Sequence, residues 1–155
     1  MKKVFLYLVL IVNTIGCSTT TVNHYAGHEA NKEVLESLVF KAYSTFATGD
    51  TEEWAKLHTK DLQFTIFGDL PQSGVNIGTD AVIENVFKVI PVYWPEFALT
   101  PIETRVEGNV VFVHNKMTAS GLDTETMHMF VIREGKIASF TAFEDTDSMR
   151  KSMVK

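Results

Sequence analysis

Four strand-like segments follow one another in the last two fifths of the chain: Glu96–Val106, Val110–Ala119, Thr124–Arg133 and Ile137–Phe143. They are rich in β-branched and aromatic residues, and the short polar links Glu107-Gly108-Asn109 and Arg133-Glu134-Gly135-Lys136 read as tight turns. Strands joined this closely can only pair antiparallel, and a sheet with one apolar face needs a cover. Period-two alternation puts His128, Phe130 and Ile132 on one face, with Met127, Met129 and Val131 on the other. The cover comes from upstream. From Glu29 onward, Val34, Leu35, Leu38, Val39, Ala42, Tyr43 and Phe46 form a helical stripe that Thr48-Gly49 should end. Asp50 and Glu53 suit the start of a second helix, on which Trp54, Leu57 and His58 share a face. Gln63–Phe67 reads as a strand and Leu70–Gly74 as a loop. Thr79-Asp80 should cap a third helix bearing Ala81, Val82, Val86, Phe87 and Ile90, closed by Pro91 and Pro95 around Tyr93-Trp94. The order predicts an α+β fold with helices on one face of a curved sheet.

The chain has 155 residues, enough for one domain with a real core, and its 45% hydrophobic and 21% charged content suits a globular protein. The N-terminus stands apart. Met1-Lys2-Lys3 precedes the unbroken apolar run Val4–Val12, and the only cysteine, Cys17, follows Ile15-Gly16. This segment resembles a bacterial lipoprotein signal. The resemblance implies a signal peptide over 1–16, a lipidated Cys17 opening a tether over 17–28, and a domain over 29–155. It places the protein in the bacterial cell envelope, lipid-anchored and facing the periplasm. Cleavage as an ordinary secretory signal, or retention as an uncleaved anchor, are the alternatives. Losing Lys2 and Lys3 would leave 12 of 14 basic residues against 19 acidic ones, moving the formal charge from −5 to −7. Such a domain is a poor binder of nucleic acid, and contact with a membrane would run through the lipid alone.

Several stretches, in this order, resemble the SnoaL-like proteins of the nuclear transport factor 2-like superfamily, relatives of ketosteroid isomerases and polyketide cyclases. They are Thr48-Gly49-Asp50, Leu57–Phe64, Leu70–Val82, Glu134–Phe140 and Glu144-Asp145-Thr146. The resemblance implies a cone-shaped curved antiparallel sheet packed against three N-terminal helices (the NTF2-like, cystatin-like architecture). It also implies a conical pocket for a small hydrophobic or amphipathic molecule, and a homodimer. Trp54, Phe64, Tyr93, Trp94, Phe130 and Ile132 are the expected substrate-binding wall. Laid along the isomerases, the chain has Ile66 where their general-base Asp stands. Ala42 stands in place of their oxyanion Tyr, with Tyr43 turned about 100° away by helical geometry. His128 falls near their second oxyanion acid. Isomerase chemistry by that route is therefore not expected.

Among the remaining polar residues, His128 is the first choice for acid or base, with Asp145 or His58 in support. Asp145 has a competing reading as the cap of a short C-terminal helix, and His114 shares with Phe112 and Val110 a face that period two leaves open between the cavity and a dimer interface, the interface being preferred. No His/carboxylate set has metal-ligand spacing, and there is no phosphate-cradling glycine loop, nucleophile elbow or cysteine nucleophile in the domain. The expected activity, if the pocket is catalytic, is cofactor-free proton transfer of isomerase, cyclase or dehydratase type. A non-catalytic binding or dimeric envelope interaction module is the alternative.

Overall fold

The computed structural model describes residues 24–154, with side-chain burial from residue 31 onward. The leader and Cys17 lie outside the described residues. Helix α1 runs from His24 to Thr48 and so takes in the last five residues expected in the tether. It stops where Gly49 adopts φ 72°, a left-handed conformation that glycine reaches without a Cβ clash. Asp50 then caps α2 (Thr51–Lys56), its carboxylate accepting from Glu53 N at 3.0 Å.

Strand β1 (His58–Ile66) begins at once, so His58 opens a strand where helical continuation was expected. Strand β2 (Gly74–Ile77), which begins at the last residue of the expected loop, folds back on β1. The expected third helix is broken into α3 (Thr79–Val82), a π-helical turn over Ile83–Phe87, and α4 (Ile90–Tyr93). Gly78 holds its N-cap position, and neither Thr79 nor Asp80 makes a side-chain cap. Pro91 sits in the first turn of α4, where a missing N–H costs nothing.

The meander follows as β3 (Ala98–Glu107), β4 (Val110–Ala119), β5 (Leu122–Arg133) and β6 (Lys136–Phe143), then α5 (Thr146–Ser152). Glu134 and Gly135 carry φ 54° and 74°, the pair of positive values that a tight type I′ hairpin demands. The six strands form one sheet in the order β2-β1-β6-β5-β4-β3. Every pairing is antiparallel except β1 with β6. Register shifts at Pro101/Glu103 in β3, Val131/Ile132 in β5 and His58/Gln63 in β1 let the unclosed sheet curl.

The concave face carries the main core, where Val39 of α1 and Val82 and Val86 meet Val111, Val113, Phe130 and Ile137 of the sheet. A second apolar cluster, Leu70, Trp94, Met117, Leu122 and Met149, joins α4 and α5 to the far ends of β4 and β5. Trp94 Nε1 donates to the Met149 carbonyl at 2.9 Å and ties those two helices together.

Candidate functional site

The main core is not filled to the end. A cavity of about 60 Å³ opens between α1, β1, the π-helical turn and β5–β6. Its walls are mostly rings: Phe46, Trp54, Phe64, Phe87, Phe97, Phe130 and Phe140. Phe64 stacks on Phe140 at 4.1 Å between centroids, and Trp54 meets Phe87 edge-on at 4.6 Å. Phe46, Phe87, Phe97 and Leu99 are half-buried and form the mouth. The wider turn of a π-helix brings the consecutive residues Val86 and Phe87 both onto the wall.

One corner of this apolar space is polar. Tyr43 Oη lies 2.8 Å from His128 Nδ1, and Asn115 Nδ2 donates to Tyr43 Oη at 3.0 Å. His128 Nε2 faces Glu144 Oε1 at 3.8 Å, beyond a direct hydrogen bond. Both side chains are deeply buried, 4% exposed for His128 and 7% for Glu144. His128 Nε2, Glu144 Oε2 and Asn115 Oδ1 have no hydrogen-bond partner among the described residues. A buried polar atom without a partner is costly, so the two that belong to cavity-lining residues, on His128 and Glu144, mark a place built to meet something else. Burial raises the Tyr43 phenol above its ordinary value; the Asn115 bond acts against this, and the Glu144 charge adds to it.

Of the residues the sequence singled out, Trp54, His58, Phe64, His128 and Phe130 line the cavity. His58 is committed elsewhere: Nδ1–H donates to the Trp54 carbonyl at 2.7 Å, and its ring lies 3.8 Å from the indole. Burial pushes its pKa down to about 4, aided by the Lys136 charge and opposed by the Trp54 bond. It is a neutral wall. Tyr93 and Trp94 are not part of the cavity but belong to the second cluster, and Ile132 is buried in the core behind the wall. Asp145 also lies outside. Its carboxylate caps α5 by accepting from Ser148 N at 3.1 Å and takes a second bond from Thr124 Oγ1 at 2.8 Å. His114 points out of the convex face and pairs with Glu125 at 2.8 Å.

Three site residues are not among the catalytic or binding candidates named from the sequence, and each carries a signal. Tyr43 stands in the row Val39, Tyr43, Phe46 at spacings of four and three, so it faces the sheet alongside Ala42. Asn115 interrupts the buried alternation Val111, Val113, Met117 of β4. Glu144 extends the inward series Phe140, Ala142 by one step of two; Asp145, one residue further, could not.

The sequence and the fold agree on kinship. The family model for the SnoaL-like domain matches residues 39–140. No curated protein matches the chain. Among solved structures, an NTF2-like protein from Burkholderia pseudomallei K96243 superposes with a TM-score of 0.70 at 21% identity, covering 79% of this chain and 98% of its own. TerC, crystallised with polyporic acid, gives 0.70 at 18% identity over 77% of this chain and 97% of its own. A candidate SnoaL-like polyketide cyclase from Jannaschia sp. CCS1 gives 0.68 at 14% identity over 78% and 92%. At these identities the likeness speaks for the fold, and together with the match over the helices, β1 and the meander it places this chain in the SnoaL-like domain family.

Proposed function

We propose that the cavity binds a small, neutral, largely apolar molecule and moves a proton on it, with Glu144 as base and His128 holding the substrate oxygen. The observation that carries this reading is the pair His128 Nε2 and Glu144, buried and 3.8 Å apart in a wall of rings. A carbonyl oxygen within reach of Nε2 places its α-carbon beside the carboxylate. Glu144 would take the α-proton, the oxygen would gain charge against Nε2–H, and return of the proton to another position gives the isomer. Low dielectric around the pair strengthens both interactions. Ile66 stands where the related isomerases keep their base, so the base is supplied here from the end of β6. The test is deuterium uptake at the α-carbons of 2-indanone in D₂O, followed by NMR. Uptake above the buffer rate that disappears in Glu144→Gln supports the reading. Saturable binding without uptake would reduce the protein to a ligand-binding module.

Two further parts of the reading concern placement and assembly. The apolar run before Cys17 supports export and lipid anchoring in the envelope, to be tested by labelling cells with a fatty-acid probe. The convex sheet face supports a homodimer. Phe67, Val75, Ile77, Met127 and Phe143 are between 39% and 60% exposed there, an apolar patch that a second copy would bury. Phe143→Glu should convert a dimer to a monomer in light scattering.

A further inference from the structure

The polar corner has a direction, and it can be read from the fixed donors. Asn115 Nδ2 donates to the Val113 carbonyl at 3.1 Å, and a carbonyl only accepts. This orients the amide, so its other N–H is the one that reaches Tyr43 Oη. Tyr43 therefore accepts from Asn115 and has one hydrogen left to give. No acceptor other than His128 Nδ1 lies within hydrogen-bond distance of that hydroxyl among the described residues. Were Nδ1 to carry the ring proton instead, the buried phenol hydrogen would have no partner. The neutral imidazole thus keeps its proton on Nε2, which points across 3.8 Å to the Glu144 carboxylate.

We propose that Asn115 and Tyr43 are positioning residues that lock His128 in the Nε2–H tautomer, and that the resulting pair, one donor and one anionic acceptor, selects a ligand hydroxyl. This deepens the pocket reading above and rests on it for the ligand. An atom about 2.8 Å from both groups must accept from Nε2–H and donate to the carboxylate, which a hydroxyl or an enol does at a single oxygen. A ketone oxygen satisfies His128 alone. A carboxylate satisfies His128 but faces Glu144 as a like charge, so anionic ligands are excluded. The apolar walls then take the hydrocarbon body of the ligand.

Two measurements on the full chain test this. The first is ¹⁵N NMR of His128 at pH 8. A protonated Nε2 in the wild type, giving way to a tautomer mixture in Tyr43→Phe, is the expected result; a protonated Nδ1 in the wild type overturns the lock. The second is calorimetric titration with four compounds of matched shape: 2-indanol, 2-indanone, indane and indane-2-carboxylate. The expected order is 2-indanol first, the ketone and then indane weaker by about tenfold in all (one hydrogen-bonded contact's worth), and the acid undetectable. In Tyr43→Phe, checked for folding by circular dichroism, the ratio of 2-indanol to indane affinity should fall to about threefold or less. Equal binding of 2-indanol and indane by the wild type refutes the selection while leaving the pocket standing. If none of the four binds, the pocket reading itself fails, and the ligand selection with it.

Discussion

The two apolar clusters of this domain use similar residues for opposite ends. Around Trp94, the indole nitrogen is bonded to the Met149 carbonyl, and methionine and leucine fill the remaining space. Around His128, rigid rings meet edge to face and stacked, and polar atoms are left without partners. Adaptable thioethers close gaps that aromatic plates leave open. An aromatic residue is thus no sign of a ligand wall by itself. What separates a pocket from a plug is whether its polar atoms are already answered.

That contrast can be broken or sharpened by experiment. The largest expected effect is in the plug: Trp94→Ala should cost about 3–5 kcal/mol in chemical denaturation, since it removes a buried indole and one of the two side-chain hydrogen bonds, from Trp94 and Ser152, to the Met149 carbonyl. A loss under about 1 kcal/mol would show that the second cluster is as loose as the first.

His58, in the cavity wall, comes next. Its pKa is depressed to about 4 from an ordinary 6.5, so the unfolded chain binds its proton first as pH falls. Stability from this group is complete above pH 6.5 and is lost progressively down to about pH 4, amounting to roughly 3 kcal/mol. In His58→Gln, denaturation midpoints should change less over that window than in the wild type. An unchanged acid limb would show that another group causes it.

Glu144→Gln should act in the opposite sense. Removing a buried charge without a close partner should leave stability unchanged or raise it by about 1 kcal/mol, while exchange into 2-indanone stops. A clear destabilisation would make Glu144 a structural residue like those of the plug. The smallest effect belongs to Asp145→Ala, the neighbour that caps α5 and accepts from Thr124: about 1 kcal/mol of stability, with exchange intact.

The same contrast explains what could be read in the chain beforehand. The meander was plain because β4 and β5 alternate strictly, and its turns carry glycine where φ is positive. The third helix was misjudged because Val82, Val86 and Ile90 keep helical spacing through a π turn, which apolar periodicity does not register. Tyr93 and Trp94 looked like pocket wall because composition says nothing of which end of a sheet a residue meets. Position along the isomerases drew attention to Ala42 and away from Tyr43, although both face the cavity. Glu144 and Asp145 differ by one residue, and only strict counting from Phe140 tells the inward carboxylate from the cap.

The parallel pairing of β1 with β6 has a consequence for how the chain comes to be folded. Phe64 lies beside Phe140 and Ile66 beside Ala142 across this seam, so early wall residues find their neighbours only in the last strand. During synthesis β1 has just β2 to pair with until residue 143 has been made, and the closing contact spans about half the chain. The cavity is therefore among the last features to assemble. A chain cut short before β6 would lack the Phe140 wall and Glu144, and would leave one side of β1 as an unpaired edge open to other chains.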